Sequence, residues 1–389
     1  MFDALDLKQA LSDLYDVGVN DDNLALLHQA NNEIHMAVKT QSGLTERQTV
    51  KDIVLQGDTW GSIMASVQVD SIGKKCVADG HGYLYKGKLP VPFLGLVDDI
   101  IGITKAGLDA HKMNAFINII SAEKTLQFGQ KKCKTMLVGK NSEEIISNEL
   151  LVDDWIVDYT ENKETGETEI VETFNGQVPM SKTGEQKYLG FVLSNKGDNM
   201  ANIREMKNKS IGIIRKIFNK LNCLSLQKYY FECAMIFLNS MLRGSILYAA
   251  DMYYNLKESE LRQIERIEEG YLRKIFKTTK GCPLSQLYLE SGHIPARFEI
   301  QKMRLMYLKN ILEQSESSLI SKFFRLQQEE PSKGDWVSQC LKDLKELKVN
   351  QTFQEIKVMP KIKFANILKI RMKENAMLYL KEKQKSKGK

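Results

Sequence analysis

An α+β fold is predicted, with short strands, hairpins and a few helices in the first half and helices throughout the second. Three observations carry this. Up to about residue 195 the apolar residues fall into short alternating or β-branched runs broken by Gly and Pro, as strands and hairpins do. From Met200 onward they recur three and four apart with charges between them, the period of amphipathic helices. Charge changes at the same place: residues 1–200 hold 19 Lys/Arg against 29 Asp/Glu, net −10, whereas 201–389 hold 36 against 20, net +16. A chain of 389 residues with 43% hydrophobic residues can bury about two domain cores.

Residues 3–36 read as helical, with Leu7, Leu11 and Leu14, then Leu24, Leu27 and Ile34, separated by the turn-prone VGVNDDN. MAVKTQSG, RQTVKDIVLQGD and GYLYKGKLPVPFLGLVDDIIGIT then read as strands and hairpins. His111 to Leu126 predicts a helix with Met113, Phe116, Ile117 and Ile120 on one face. CKTMLVG, LLVDDWIVDYT and ETEIVETFNG return to strand patterning, the last two joined by ENKETG. The segment SNKGDN marks a domain boundary near 195. Beyond it, MANIREMKNKSIGIIRKIFNKL, SLQKYYFECAMIFLNSMLRGSILYAADMYY, SELRQIERIEEGYLRKIFKT and RFEIQKMRLMYLKNILEQS are helical, punctuated by Gly281, Pro283 and Pro295. The tail from Gln351 has 11 basic and 3 acidic residues and ends in KEKQKSKGK, which is expected to be frayed and solvated.

The six cysteines never fall closer than ten apart, which excludes a zinc-knuckle spacing or a compact disulfide framework and favours a reducing compartment. Asp3 and Asp6 stand where a secretion signal would be basic and then apolar. The longest apolar stretch, Cys233 to Ala250, is broken by Asn239 and Arg243, so no membrane span is expected and the location is intracellular, nucleus or cytoplasm. VGKNS at 138–142 fails the spacing of a phosphate loop, and His28 and His35, seven apart on a helical pattern, carry little weight as metal ligands.

Adjacent aspartates occur three times. Asp21 with Asp22 lies in a turn-like setting, and Asp153 with Asp154 in a strand that lets one carboxylate face water. Asp98 with Asp99 is different, with LGLV before and IIGI after. Two neighbouring carboxylates in apolar surroundings push each other toward protonation unless a cation is present. A pair of Mg²⁺ ions held about 3.5–4 Å apart by hairpin-borne carboxylates serves nucleotidyl transfer. From this stretch alone, a tight turn between strands is an equally good reading.

The order of the surrounding motifs separates the two. MFDAL, LQGDTWG, LVDDI, LQFGQKKCKTMLVG and KYLGF follow one another, and in this order they resemble the palm of a reverse transcriptase of non-LTR (LINE-type) retrotransposons. CPLSQLYLESGHIPARFEIQKMRLMYL resembles the thumb and linker of such elements, so the resemblance covers roughly residues 1–315. It implies a partial right-hand polymerase: a palm over 1–195 with a small antiparallel sheet and helices, an all-α thumb over 196–290, and a helical linker region with a basic tail over 291–389.

The resemblance also implies roles. Asp98 would be the principal Mg²⁺ ligand and Asp99 its support. Phe2 would pack under the nucleotide sugar and exclude a 2′-hydroxyl, Gln56 and Gly57 would contact the nucleotide and template base, and Lys132 would protonate the leaving pyrophosphate. Tyr188, Leu189 and Gly190 would form the primer grip. The Lys/Arg of the thumb helices would track a template-primer duplex without reading sequence. The expected function is RNA-directed DNA polymerisation with Mg²⁺, deoxynucleotide triphosphates, an RNA template and a DNA primer. The alternative is a non-catalytic nucleic-acid-binding protein derived from a retroelement.

The sequence departs from the family at several points. Leu96 and Val97 replace an aromatic and an alanine before the Asp pair, and no proline follows the QG of GDTWGS. The family's first metal-binding Asp, five residues ahead of the sugar-gating aromatic, would fall before Met1, as would the fingers motifs. These 389 residues alone are therefore expected to polymerise weakly or not at all.

Overall fold

The structure is a computed structural model that describes residues 6–51, 54, 59–97, 99–105, 107–124, 126, 128–139, 150–161, 168–223, 229–279 and 281–385. It divides into two compact units, residues 1–189 and 190–389. Among the described residues, the first is mixed α+β and the second is helical apart from one short strand.

The first unit opens with helices α1 (Leu7–Asp16) and α2 (Asp21–Asn32). Asp6 caps α1, its carboxylate accepting from the backbone N–H of Lys8 at 2.7 Å. Asn20 caps α2 in the same way. Asp21 and Asp22, read from sequence as turn residues, occupy the first turn of α2, where the helix dipole favours negative charge. Strands β1 (Glu33–Met36), β2 (Lys39–Thr40), β3 (Gly43–Leu44) and β4 (Gln48–Lys51) form a hairpin, β1 pairing with β4 and β2 with β3. His35 lies in β1 and bonds Thr49 across the ribbon at 2.9 Å, whereas His28 lies in α2, so the two do not share a helix face.

Next comes helix α3 (Thr59–Ala78), absent from the sequence reading, followed by strands β5 (Tyr83–Tyr85), β6 (Leu89–Val91), β7 (Phe93–Leu96) and β8 (Asp99–Gly102). The pairs β5–β6 and β7–β8 are antiparallel. Helix α4 (Gly107–Glu123) is followed by β9 (Lys134–Thr135), the long strands β10 (Leu151–Glu161) and β11 (Thr168–Pro179), β12 (Ser181–Lys182) and β13 (Glu185–Tyr188). β10 and β11 pair antiparallel with a bulge at Asp154/Trp155, while β9 and β12 pair parallel.

Among the described residues, pairing in this unit is two by two, where the sequence suggested one small antiparallel sheet. Pro90 in β6 and Pro92 just after it supply no ladder donor, which limits growth of the sheet there. Two-stranded ribbons are marginal alone and must lean on helices. The core they lean on joins Leu7, Ala10 and Leu14 of α1, Leu27 of α2, Met64, Ala65, Ile72 and Cys76 of α3, and Ile120 of α4. A buried ion pair, Lys124 Nζ to Asp13 Oδ1 at 2.6 Å, ties the end of α4 to α1.

The second unit begins with β14 (Phe191–Ser194) and α5 (Met200–Cys223). The long apolar run read as helical is α6 (Tyr230–Phe237), a wide π turn at Leu238–Leu242, α7 (Arg243–Ile246) and a 3₁₀ turn at Ala250–Met252. Then follow α8 (Glu258–Ile275), α9 (Leu284–Ser291), α10 (Ala296–Glu313), α11 (Leu319–Glu329), α12 (Trp336–Glu346), α13 (Phe353–Val358) and α14 (Lys361–Lys385). The punctuation acts as the sequence suggests: Gly292 ends α9 at φ +64, and Pro295 immediately precedes α10. One core gathers α5 to α9, and a second gathers α11 to α14. Helix α10 serves both, with Ile300 in the first and Leu305, Leu308 and Ile311 in the second, so no break falls between the segments read as 196–290 and 291–389. The C-terminal region is helical as expected: α14 is one 25-residue helix whose Phe364, Leu368, Met372, Ala376 and Leu380 are buried at every fourth position. Of the terminal KEKQKSKGK, expected to fray, residues 381–385 still belong to α14 and 386–389 lie outside the described residues.

The first core of this unit is organised around a buried carboxylate. Glu268 Oε1 accepts from Arg243 Nε at 3.1 Å and faces His293 Nε2 at 3.3 Å; Oε2 accepts from the Tyr288 hydroxyl at 2.7 Å and from the Ala296 N–H at 3.1 Å. Burial would raise its pKa, but the bonds from His293 and the charge of Arg243 prevail and hold it at about 2. Arg243 also donates to the Ile294 carbonyl, fixing the turn between α9 and α10.

Candidate active site

The hairpin β7–β8 carries the carboxylates of interest. Leu96 pairs with Asp99 at the closed end of the hairpin, and Val97 follows Leu96 there. Val97 has φ +57, a left-handed conformation that two-residue turns usually assign to Gly, Asn or Asp. A β-branched residue there costs about 1–3 kcal/mol and persists only where the surroundings hold it. The holding is done by helices on either side. Gly73 of α3 admits the Phe93 ring so closely that a Cβ would lie 2.8 Å from its Cζ, and a Cβ on Gly102 would lie 2.6 Å from Met113 Cε of α4. Gly95 meets Val69 of α3 in the same manner. The hairpin is thus clamped at both strands.

Asp98 lies outside the described residues, as do Phe2, Gln56 and Gly57. Asp99 is the first residue of β8 and is exposed. Its backbone carbonyl accepts a long hydrogen bond, 3.4 Å, from the hydroxyl of Tyr188, which is 89 residues away in sequence at the end of β13. Burial raises the pKa of the Tyr188 phenol, and the nearby charge of Asp99 raises it further, so it stays a donor at neutral pH. Two of the residues singled out from sequence, Asp99 and Tyr188, therefore come together. Lys132 does not join them through any described hydrogen bond or ion pair; it ends the 3₁₀ turn Gln130–Lys132 and is exposed.

Leu189 and Gly190 follow Tyr188 with φ +46 and +83. The second unit starts at Gly190, where a Cβ would stand 3.0 Å from the ring of Tyr248. Gly190, Asn202, Glu205, Met206, Lys209 and Tyr248 line a shallow cleft of about 300 Å³ in that unit. Tyr248 was not singled out by sequence, because nothing local distinguishes it from the other aromatics of the helical run.

Oxygen donors from adjacent aspartates suit a hard, hydrated cation such as Mg²⁺. Among the described residues, no three His, Cys, Asp or Glu side chains converge on a metal position. No described helix is long and apolar enough to cross a membrane. Compared with known proteins, the chain matches no family model and no curated sequence.

Proposed function

We propose that this chain is the palm and thumb part of an RNA-directed DNA polymerase of the non-LTR retrotransposon kind. In this reading Asp98 and Asp99 hold Mg²⁺, Phe2, Gln56 and Gly57 seat the deoxynucleotide triphosphate, Lys132 protonates pyrophosphate, and Tyr188, Leu189 and Gly190 hold the primer end. The observation that carries it is the approach of Tyr188 to Asp99, which brings a primer-grip candidate to the carboxylate hairpin across 89 residues of chain. The strained Val97 next to Asp98 agrees with it, since such strain gathers where a side chain must be aimed. A second reading, a non-catalytic nucleic-acid-binding protein, is favoured by the net +16 of residues 201–389.

The two readings separate in one assay. The chain is incubated with an RNA template annealed to a DNA primer, labelled deoxynucleotides, and Mg²⁺ or Mn²⁺. Slow incorporation is expected that follows the template base, needs the metal and is lost in Asp98→Ala. Incorporation that persists in Asp98→Ala, or that ignores the template, overturns the polymerase reading. Binding of the hybrid without incorporation at any metal concentration leaves the second reading.

A further inference from the structure

Gly190 is the residue of the proposed primer grip whose backbone is least able to hold itself. A glycine takes positive and negative φ about equally readily, yet Gly190 sits at φ +83. What stands over it is the ring of Tyr248. A Cβ built on Gly190 would lie 3.0 Å from Cε1, 3.1 Å from the hydroxyl oxygen and 3.2 Å from Cζ, and these are the three atoms nearest to that position. Any side chain at 190 would meet the ring.

The two residues that follow are held from the same helical unit, but by buried groups. The Phe191 and Tyr253 ring centroids are 5.7 Å apart, and the Val192 N–H donates to Asn202 Oδ1 of α5 at 3.0 Å. Asn202 in turn donates to the Tyr253 hydroxyl, and both of these residues are buried. Tyr248 is different. It is 52% exposed and lines the cleft described above, so burial of apolar surface does not account for its place.

The ring is nevertheless braced. Tyr248 stands between Ile246, the last residue of α7, and Ala250, the first of the 3₁₀ turn, and both are fully buried in the first core of the unit. Helix α7 is tied at its first residue, Arg243, to Glu268. Ala249 has φ +54, a left-handed backbone that a residue with a Cβ keeps only where its surroundings hold it. A half-exposed aromatic wall, braced from the core and closing on a bare glycine, is arranged to set where that glycine lies.

We propose that Tyr248 is a positioning residue: it fixes Gly190 in its left-handed conformation and so sets where the primer end rests. This rests on the reading of Tyr188, Leu189 and Gly190 as the primer grip and not on metal at Asp98. Removing the ring lets Gly190 take either sign of φ, which deprives the grip of its shape while taking little apolar area from the core.

The test measures the preference of the full chain for a primer end, by fluorescence anisotropy at one fixed salt concentration and with neither metal nor nucleotide present. One probe is an RNA template carrying a DNA primer with a recessed 3′ end; the other is the same hybrid with that end closed onto the template by a loop. The wild type is expected to bind the recessed end about tenfold more tightly. Tyr248→Ala should bring that ratio down to about one, while its affinity for the closed hybrid changes by less than about twofold. Tyr248→Phe, which keeps the ring against Gly190, should retain the preference, as should Tyr254→Ala, which removes another exposed tyrosine of the unit. Helical circular dichroism and the denaturant midpoint check that each variant folds. A wild type without preference overturns the primer-grip reading and this inference with it. A preference that survives in Tyr248→Ala overturns the inference alone, and so does an equal loss of affinity for both probes, the mark of a purely structural role.

Discussion

Residues 1–189 build from paired strands that lean on α1, α3 and α4, whereas residues 190–389 build from helices that each offer an apolar stripe to the next. Both units hold buried polar groups that are matched and others that are not. In the helical unit Glu268 uses both carboxylate oxygens on four partners, although Ser210, Thr278, Gln301 and Gln351 each keep an unmatched buried atom; in the first unit Lys124 meets Asp13, while the fully buried Gln68 of α3 bonds with neither atom of its amide. The satisfied network round Glu268 makes a rigid scaffold, whereas the first unit holds a left-handed Val97 on the hairpin that carries the exposed Asp99, local strain of the kind that gathers at working sites.

The comparison breaks most visibly at Glu268. Glu268→Ala leaves Arg243 buried without its carboxylate and is expected to cost about 3–5 kcal/mol in chemical unfolding of the helical unit. A loss under about 1 kcal/mol would mean that the network is not what holds that core. The same group sets an acid limb. Because its folded pKa is held near 2, below the ordinary carboxylate value of about 4.3, its stabilisation is complete above the ordinary value and is lost as pH falls toward 2. Glu268→Gln should flatten stability against pH in that window, measured by urea midpoints at each pH.

In the first unit the sharper probe is the clamp on the hairpin. Gly73→Ala puts a methyl against the Phe93 ring and is expected to cost about 1–3 kcal/mol by overpacking. On the proposed reading of the Asp pair as a Mg²⁺ site it should also weaken metal binding, whereas Gly212→Ala on open surface of α5 should do neither. The smallest effect runs the other way. Gln68→Leu removes a buried amide that bonds nothing and is expected to stabilise the first unit by about 1–2 kcal/mol, read as a higher denaturant midpoint.

The helical half was legible because its signal is local: three-and-four spacing is written in each segment, and Gly292 and Pro295 punctuate it. Helix α3 was not. Met64, Gln68, Ile72 and Cys76 do recur at every fourth position, but Gly61, Gly73 and the β-branched Val67, Val69 and Ile72 lower its propensity. The start of KEKQKSKGK, expected to fray, continues α14 to Lys385, because the buried positions Phe364 to Leu380 hold the helix against its neighbours up to that point. At the site, the hairpin was legible from DD between apolar runs. Its meeting with Tyr188 was not legible, since a contact across 89 residues leaves no local trace.

The central claim is that the Asp98/Asp99 hairpin holds a metal that engages a nucleotide on a template-primer. Electron paramagnetic resonance of Mn²⁺ added to the full chain with an RNA–DNA template-primer and a deoxynucleotide triphosphate tests it without requiring turnover. A protein-bound Mn²⁺ signal is predicted that depends on the nucleotide, disappears in Asp98→Ala and survives Asp153→Ala on β10. Identical Mn²⁺ binding in wild type and Asp98→Ala would contradict it.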